Sequence, residues 1–148
     1  MSFEEVQGYA GDLSVEDAYA ILAEDQRATL VDVRTQPEWQ FVGVPDLAAL
    51  GKTAIFRQWQ VYPGMEVATD FVPGLVDELE RRGADKSSPV IFICRSGARS
   101  RNAAIALTRA GWANCHNVAD GFEGPLDEER RRGAVGGWRA RGLPWTQT

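Results

Sequence analysis

Two cysteines and one histidine are all that this 148-residue chain offers of the side chains most used as metal ligands or nucleophile–base pairs. That scarcity narrows the chemistry. Neither Cys94 nor Cys115 belongs to a C-x-x-C pair, and a zinc site needs more Cys or His at suitable spacing than is present. Two cysteines do not make a disulfide framework, and a Cys-His dyad would have to recruit His116. Long apolar runs are missing as well: none approaches the ~20 residues that cross a membrane. Met1–Gln7 is polar and acidic and lacks the regions of a signal peptide. These absences predict a cytoplasmic protein without a membrane or metal partner. Positive charge is also in short supply, with 16 Lys and Arg against 21 Asp and Glu and a net charge of −5. Bulk nucleic-acid binding is therefore not expected.

What is present reads as an ordinary globular chain, 44% hydrophobic and 25% charged. The length suits one domain over residues 1–148, with its core at about 13–145, large enough to pack without disulfides. Charge is unevenly spread. Residues 1–30 hold seven acids and one base, Arg27, whereas residues 94–101 hold Arg95, Arg99 and Arg101 and no acid. A local positive spot on an acidic chain points to a small anionic ligand.

Periodicity predicts alternating strands and helices. Leu13–Ala23 reads as a helix, with Ser14 and Asp17 at capping-box spacing ahead of an apolar face of Val15, Ala18, Tyr19 and Leu22. Residues 28–33 read as a buried strand, and Thr35 with Glu38 marks a second helix start. Lys52–Phe56 is a weaker strand, and residues 57–68 read as irregular, with Trp59, Tyr62 and Met65 as candidates for a pocket mouth or for packing. A helix from Phe71 ends near Gly83. Val90–Ile93 is the clearest central strand, Ser100–Ala110 a helix stopped by Gly111, and Trp112–Val118 a last strand. Residues 126–132 suggest a helical turn or two, with Trp138, Leu143 and Trp145 packing back on the body. The pattern predicts an α/β fold with a mainly parallel sheet, whose sites gather at the carboxyl ends of strands.

Cys94 follows the best strand directly and opens the run Cys-Arg-Ser-Gly-Ala-Arg-Ser. Gly97 lets the backbone curl, and the small Ser96 and Ala98 leave room for amides to turn inward as an anion nest. The helix starting at or beside Ser100 points its positive end at the same space. Arg95 and Arg99 add full charge. Surroundings of this kind can lower a cysteine pKa from about 8.5 to roughly 3.5–7.5, so a nucleophile here needs no adjacent histidine. Cys115, in an apolar pattern with no glycine cup, reads as structural. Four residues separate Cys94 from Arg99. Tyrosine phosphatases and related arsenate reductases have five, and the shorter loop makes a narrower cup.

The segment Cys94–Ser100 resembles the active-site loop of the rhodanese family of sulfurtransferases. Val31-Asp32-Val33-Arg34 with Glu38-Trp39, the stretch 117–124 and the tail 136–145 are similar to other family segments. Phe41–Asp46 is a looser version of a family segment and lacks its histidine. The resemblance implies a rhodanese-like α/β fold, a central mainly parallel five-stranded sheet with helices on both faces. It implies ping-pong sulfur transfer: Cys94 takes sulfur from a small anionic donor such as thiosulfate and carries it as a persulfide. Cyanide, a cellular thiol or a protein acceptor then takes the sulfur. It further implies substrate contacts from Arg95, Ser96, Gly97, Ala98, Arg99 and Ser100, support from Asp32 and Arg34, and no metal or organic cofactor. A purely structural salt bridge is an equal reading of Asp32 and Arg34, and Arg99 could be mostly structural, its guanidinium turned to pair with an acid. A phosphatase or arsenate-reductase-like activity and a non-catalytic rhodanese-like sensing or binding module are the alternatives.

Overall fold

The computed structural model describes residues 8–61 and 63–147. Met1–Gln7 and Tyr62, both read above, lie outside them. In chain order the first half gives β1 (Gly11–Leu13), α1 (Val15–Glu24), β2 (Thr29–Asp32), α2 (Gln36–Phe41), β3 (Val44–Pro45) and β4 (Ile55–Phe56). The second half gives β5 (Gln60–Val61), β6 (Glu66–Val67), α3 (Phe71–Arg81), β7 (Val90–Ile93), α4 (Ala98–Arg109), β8 (Cys115–Val118) and β9 (Trp145–Thr146).

Five strands form one parallel sheet in the order β1-β8-β7-β2-β4. The apolar run Val90–Ile93 explains why β7 is central, since a strand covered on both faces has no need of polar alternation. Its side chains divide between two cores. Val90, Phe92 and Cys94 face α3 and α4, with Phe71, Leu75, Leu79, Ala103, Ala104 and Leu107. Ile91 and Ile93 face α1 and the C-terminal segment, with Val15, Ala18, Leu22, Phe122 and Trp138. Helices therefore cover both faces, as expected. Phe71, Leu75 and Leu79 are at most 1% exposed, and burying side chains of this size contributes about 1.5–3 kcal/mol each.

The caps act where the sequence puts them. Ser14 Oγ accepts from the Asp17 amide at 3.0 Å to start α1. The Thr35 amide and hydroxyl both donate to Glu38 Oε1, at 3.1 and 2.9 Å, to start α2. Gly83, at φ +88°, follows α3.

Four expectations need correction. Leu13 is not the first helical residue; with Gly11 and Asp12 it forms an edge strand on β8. Residues 60–67 are a small antiparallel hairpin of β5 and β6. The helix after Cys94 starts at Ala98, which puts Arg99 and Ser100 in its first turn. Residues 126–132 form turns, because Asp127 Oδ1 accepts the Glu129 and Arg131 amides and its own amide donates to the Arg131 carbonyl. Trp138 and Leu143 do pack onto the body, and β9 pairs antiparallel with β3. Among the described residues, no helix is long and apolar enough to cross a membrane.

Candidate active site

β7 delivers Cys94 to the carboxyl edge of the sheet, where its thiol is 1% exposed and lines a cavity of about 330 Å3. Glu38, Gln60, Met65, Arg95, Ser96, Ala98 and Arg99 complete the wall. The loop is held from outside through its main chain. Phe122 N donates to the Cys94 carbonyl at 2.8 Å, and Glu123 N and Gly124 N donate to that of Arg95 at 3.0 and 3.2 Å. Gly97, at φ +111°, comes so close to the Ala119 carbonyl that a Cβ there would collide with it.

That turn aims the Gly97 amide at Cys94 Sγ, 3.2 Å away. Among the described residues it is the one loop amide bonded to the sulfur. Ala98, Arg99 and Ser100 form the first turn of α4, whose leading amides have no acceptor within the helix; the first intrahelical bond runs from the Arg101 amide to the Gly97 carbonyl. Ala98 and Arg99, the first residues of α4, line the cavity, so the positive end of the helix dipole faces it. Ser100, fully buried, places Oγ 3.2 Å from the sulfur and 2.5 Å from Asn117 Oδ1.

The two loop arginines differ. Arg95 is exposed and lines the cavity, and among the described residues nothing pairs with its guanidinium. Arg99 is bound fork to fork by Glu38, Nη1–Oε1 at 2.7 Å and Nη2–Oε2 at 2.9 Å. Of the roles open to Arg99 in the sequence, the geometry gives the acid-paired one. Burial alone would raise the Glu38 carboxyl, but the hydrogen bonds and charge of Arg99, with the Thr35 amide and hydroxyl, outweigh it and hold Glu38 at about 2.

Asp32 and Arg34 lie outside the cavity wall, fully buried at the end of β2. Arg34 Nε and Nη2 donate to Asp32 at 2.9 and 2.7 Å, and Nη2 also reaches the Gly43 carbonyl at 2.8 Å. The guanidinium stacks over Phe122, 4.3 Å from the ring centre. Since Phe122 N grips the Cys94 carbonyl, the pair supports the loop from behind. Trp59 packs edge-on against Phe71 and does not line the cavity, whereas Met65 does. Cys115 is fully buried, and desolvation pushes its thiol up to about 12. No group of three or more His, Cys, Asp or Glu able to hold a metal occurs among the described residues.

The sequence reading missed three residues here. Glu38 carried a signal as a helix cap and within a family-like segment but not as the partner of Arg99, Gln60 carried none, and Asn117 opened a family-like stretch that gave no hint of its neighbour.

Comparison with known proteins agrees with this architecture. A family model described as the STR4 middle domain matches residues 10–148. The crystal structure of Rv0390 from M. tuberculosis is similar at 47% identity and a TM-score of 0.82, over 95% of this chain and 99% of that one. An uncharacterised Rickettsia conorii protein, RC0915, is 38% identical over 86% of this chain and 90% of its own length. The chloroplastic rhodanese-like domain-containing protein 4 of Arabidopsis thaliana is 27% identical over 90% of this chain, which spans a quarter of that longer protein. The solution structure of a polysulfide-sulfur transferase homodimer from Wolinella succinogenes shares the fold at 24% identity and a TM-score of 0.57, over 99% of this chain and 88% of that one. The five-stranded parallel sheet, the helices on both its faces and the match from residue 10 onward lead to one conclusion: this chain belongs to the STR4 middle domain family and is built on a rhodanese-like fold.

Proposed function

We propose that this protein is a sulfurtransferase that carries sulfane sulfur on Cys94. The observation that carries the reading is a nucleophile-type side chain at the wall of a small cavity, with the Gly97 amide at 3.2 Å and, beside it, the Arg95 guanidinium, which is unpaired among the described residues. Arg95 attracts an anionic donor such as thiosulfate. The Cys94 thiolate attacks the outer sulfur, the donor S–S bond breaks, and sulfite leaves with its electron pair. The Cys94 persulfide keeps one negative charge, which the Gly97 amide and the positive end of α4 stabilise. Cyanide or a thiolate then attacks the terminal sulfur and returns Cys94 as thiolate. The persulfide is itself the carrier, so the cycle needs no metal or organic cofactor. Asp32 and Arg34 keep the loop in place. A free thiol at this site suits a reducing compartment such as the cytoplasm.

Steady-state kinetics against thiosulfate, mercaptopyruvate, polysulfide and glutathione persulfide test the reading, with adduct mass spectrometry on the same samples. A gain of one sulfur mass on Cys94 is expected, and Cys94→Ser is expected to abolish both adduct and transfer. A Cys94→Ser variant that transfers sulfur at the parental rate would refute it. So would vanadate-sensitive turnover of a chromogenic phosphate ester without any sulfur transfer.

A further inference from the structure

A polar chain runs from the buried thiol away from the cavity to the exposed Asp12. Ser100 Oγ is 3.2 Å from Cys94 Sγ and 2.5 Å from Asn117 Oδ1. Asn117 Nδ2 donates to Asp12 Oδ1 at 3.0 Å, and the Tyr9 hydroxyl donates to the same oxygen at 2.8 Å. Asp12 and Asn117 are brought together because β1 pairs with β8 in a register that sets these two residues opposite each other.

Proton counting fixes the direction of this chain. The Asp12 carboxylate only accepts, so it takes the amide side of Asn117, and the Asn117 oxygen must face Ser100. A serine hydroxyl has one hydrogen. At 2.5 Å from a carbonyl-type oxygen, that hydrogen lies between the two oxygens, since lone pairs facing each other there would repel. Ser100 then turns a lone pair, and not a hydrogen, toward the sulfur.

We infer that Asn117 is a positioning residue for Cys94: by claiming the Ser100 hydrogen it makes Ser100 an acceptor for the resting thiol and withholds a hydrogen bond from the ionised sulfur. Losing its proton obliges the sulfur either to face an oxygen lone pair or to draw the hydroxyl hydrogen away from Asn117. Asn117 therefore helps set the pH at which Cys94 becomes a nucleophile. The inference rests on Cys94 as the sulfur carrier, and it identifies a role for an uncharged strand residue that never touches substrate.

The charged and titratable groups around the thiol and its chain are Glu38 on α2, Arg95 and Arg99 beside it, Asp32 acting on Arg99 from β2, and Asp12 with Tyr9 and Arg101 at the far end. Asn117→Ala also takes one hydrogen bond from Asp12, so it is the double variant with Ser100→Ala that ties a shift in thiol titration to the hydroxyl hydrogen. The test is the pH dependence of Cys94 alkylation by iodoacetamide, read by peptide mass spectrometry on the full chain. Asn117→Ala frees the Ser100 hydrogen for the thiolate and is expected to lower the alkylation midpoint by about one pH unit. Adding Ser100→Ala to it is expected to raise the midpoint again. An unchanged or raised midpoint in Asn117→Ala overturns the inference, as does a double variant that matches the single one. If Asn117→Ala does not fold, Ser100→Ala alone decides: a hydroxyl that accepts from the thiol predicts no rise, and a rise overturns the assignment. The persulfide adduct is measured separately. Its absence alongside the expected midpoints would defeat the sulfurtransferase reading and leave the proton assignment standing.

Discussion

Replacing Glu38 with Gln removes one charge from the cavity wall and keeps the carbonyl-type oxygen that caps α2. In the parent, Glu38 and Arg99 are 20% and 16% exposed at the side chain, so water screens the pair only in part. The carboxyl lies at about 2 against 4.5 for a free glutamate, a difference worth about 3 kcal/mol at neutral pH. The sign follows from the direction of the shift. A depressed carboxyl stabilises the folded protein above its unfolded pKa, and that contribution disappears as pH falls from about 4.5 toward 2. Glu38→Gln is therefore expected to lose about 2–3 kcal/mol in urea unfolding at pH 7, and its stability should converge on that of the parent as the pH approaches 2. Arg99, released from its fork, should also raise the ionic-strength dependence of donor binding. A loss below about 0.5 kcal/mol at pH 7, or a gap between the two proteins that stays constant from pH 7 to pH 3, would refute the reasoning.

Gly97→Ala forces a side chain into a left-handed conformation at φ +111° and against the Ala119 carbonyl. The loop must shift, the amide leaves the sulfur, and a displacement approaching 1 Å is expected to cost about 100-fold in sulfur-transfer rate; parental kinetics would show that the amide is not needed. Cys115 offers a control within the same chain. With its thiol at about 12 and its side chain fully buried, only about one part in ten thousand is ionised at pH 8. Iodoacetamide should label Cys94 and spare Cys115 in the folded protein, and rapid labelling of Cys115 would contradict its packing.

Much of this molecule was legible from local signals. The apolar run 90–93, the caps at Ser14 and Thr35, and Gly83 and Gly111 act through forces that extend only a few residues, so sequence alone exposes them. The cysteine loop was legible for the same reason: strand end, glycine and helix start are contiguous. What escaped notice depends on partners far apart in the chain. Gly11–Leu13 has no apolar alternation of its own and becomes a strand only because β8 offers an edge. Glu38 reaches Arg99 across 61 positions, and Asn117 reaches Asp12 across 105. Charge type gave no clue to which acid would neutralise which arginine, because the choice belongs to the sheet order. The hairpin at 60–67 was hidden by its brevity, with two-residue strands too short for alternation to register.

The grip on the Cys94 loop uses main-chain hydrogens of Phe122, Glu123 and Gly124, and the carbonyls they hold are main-chain as well. Of these three positions only Glu123 can accordingly change freely: Gly124, at φ +78°, has no room for a side chain against the Gly136 carbonyl, and Phe122 is the buried ring beneath Arg34. A single inserted or deleted residue between Asn117 and Gly124 would put the amides out of step with both carbonyls. Variation tolerated here is confined to the letter at Glu123, whereas variation in length should be silenced by loss of the cup.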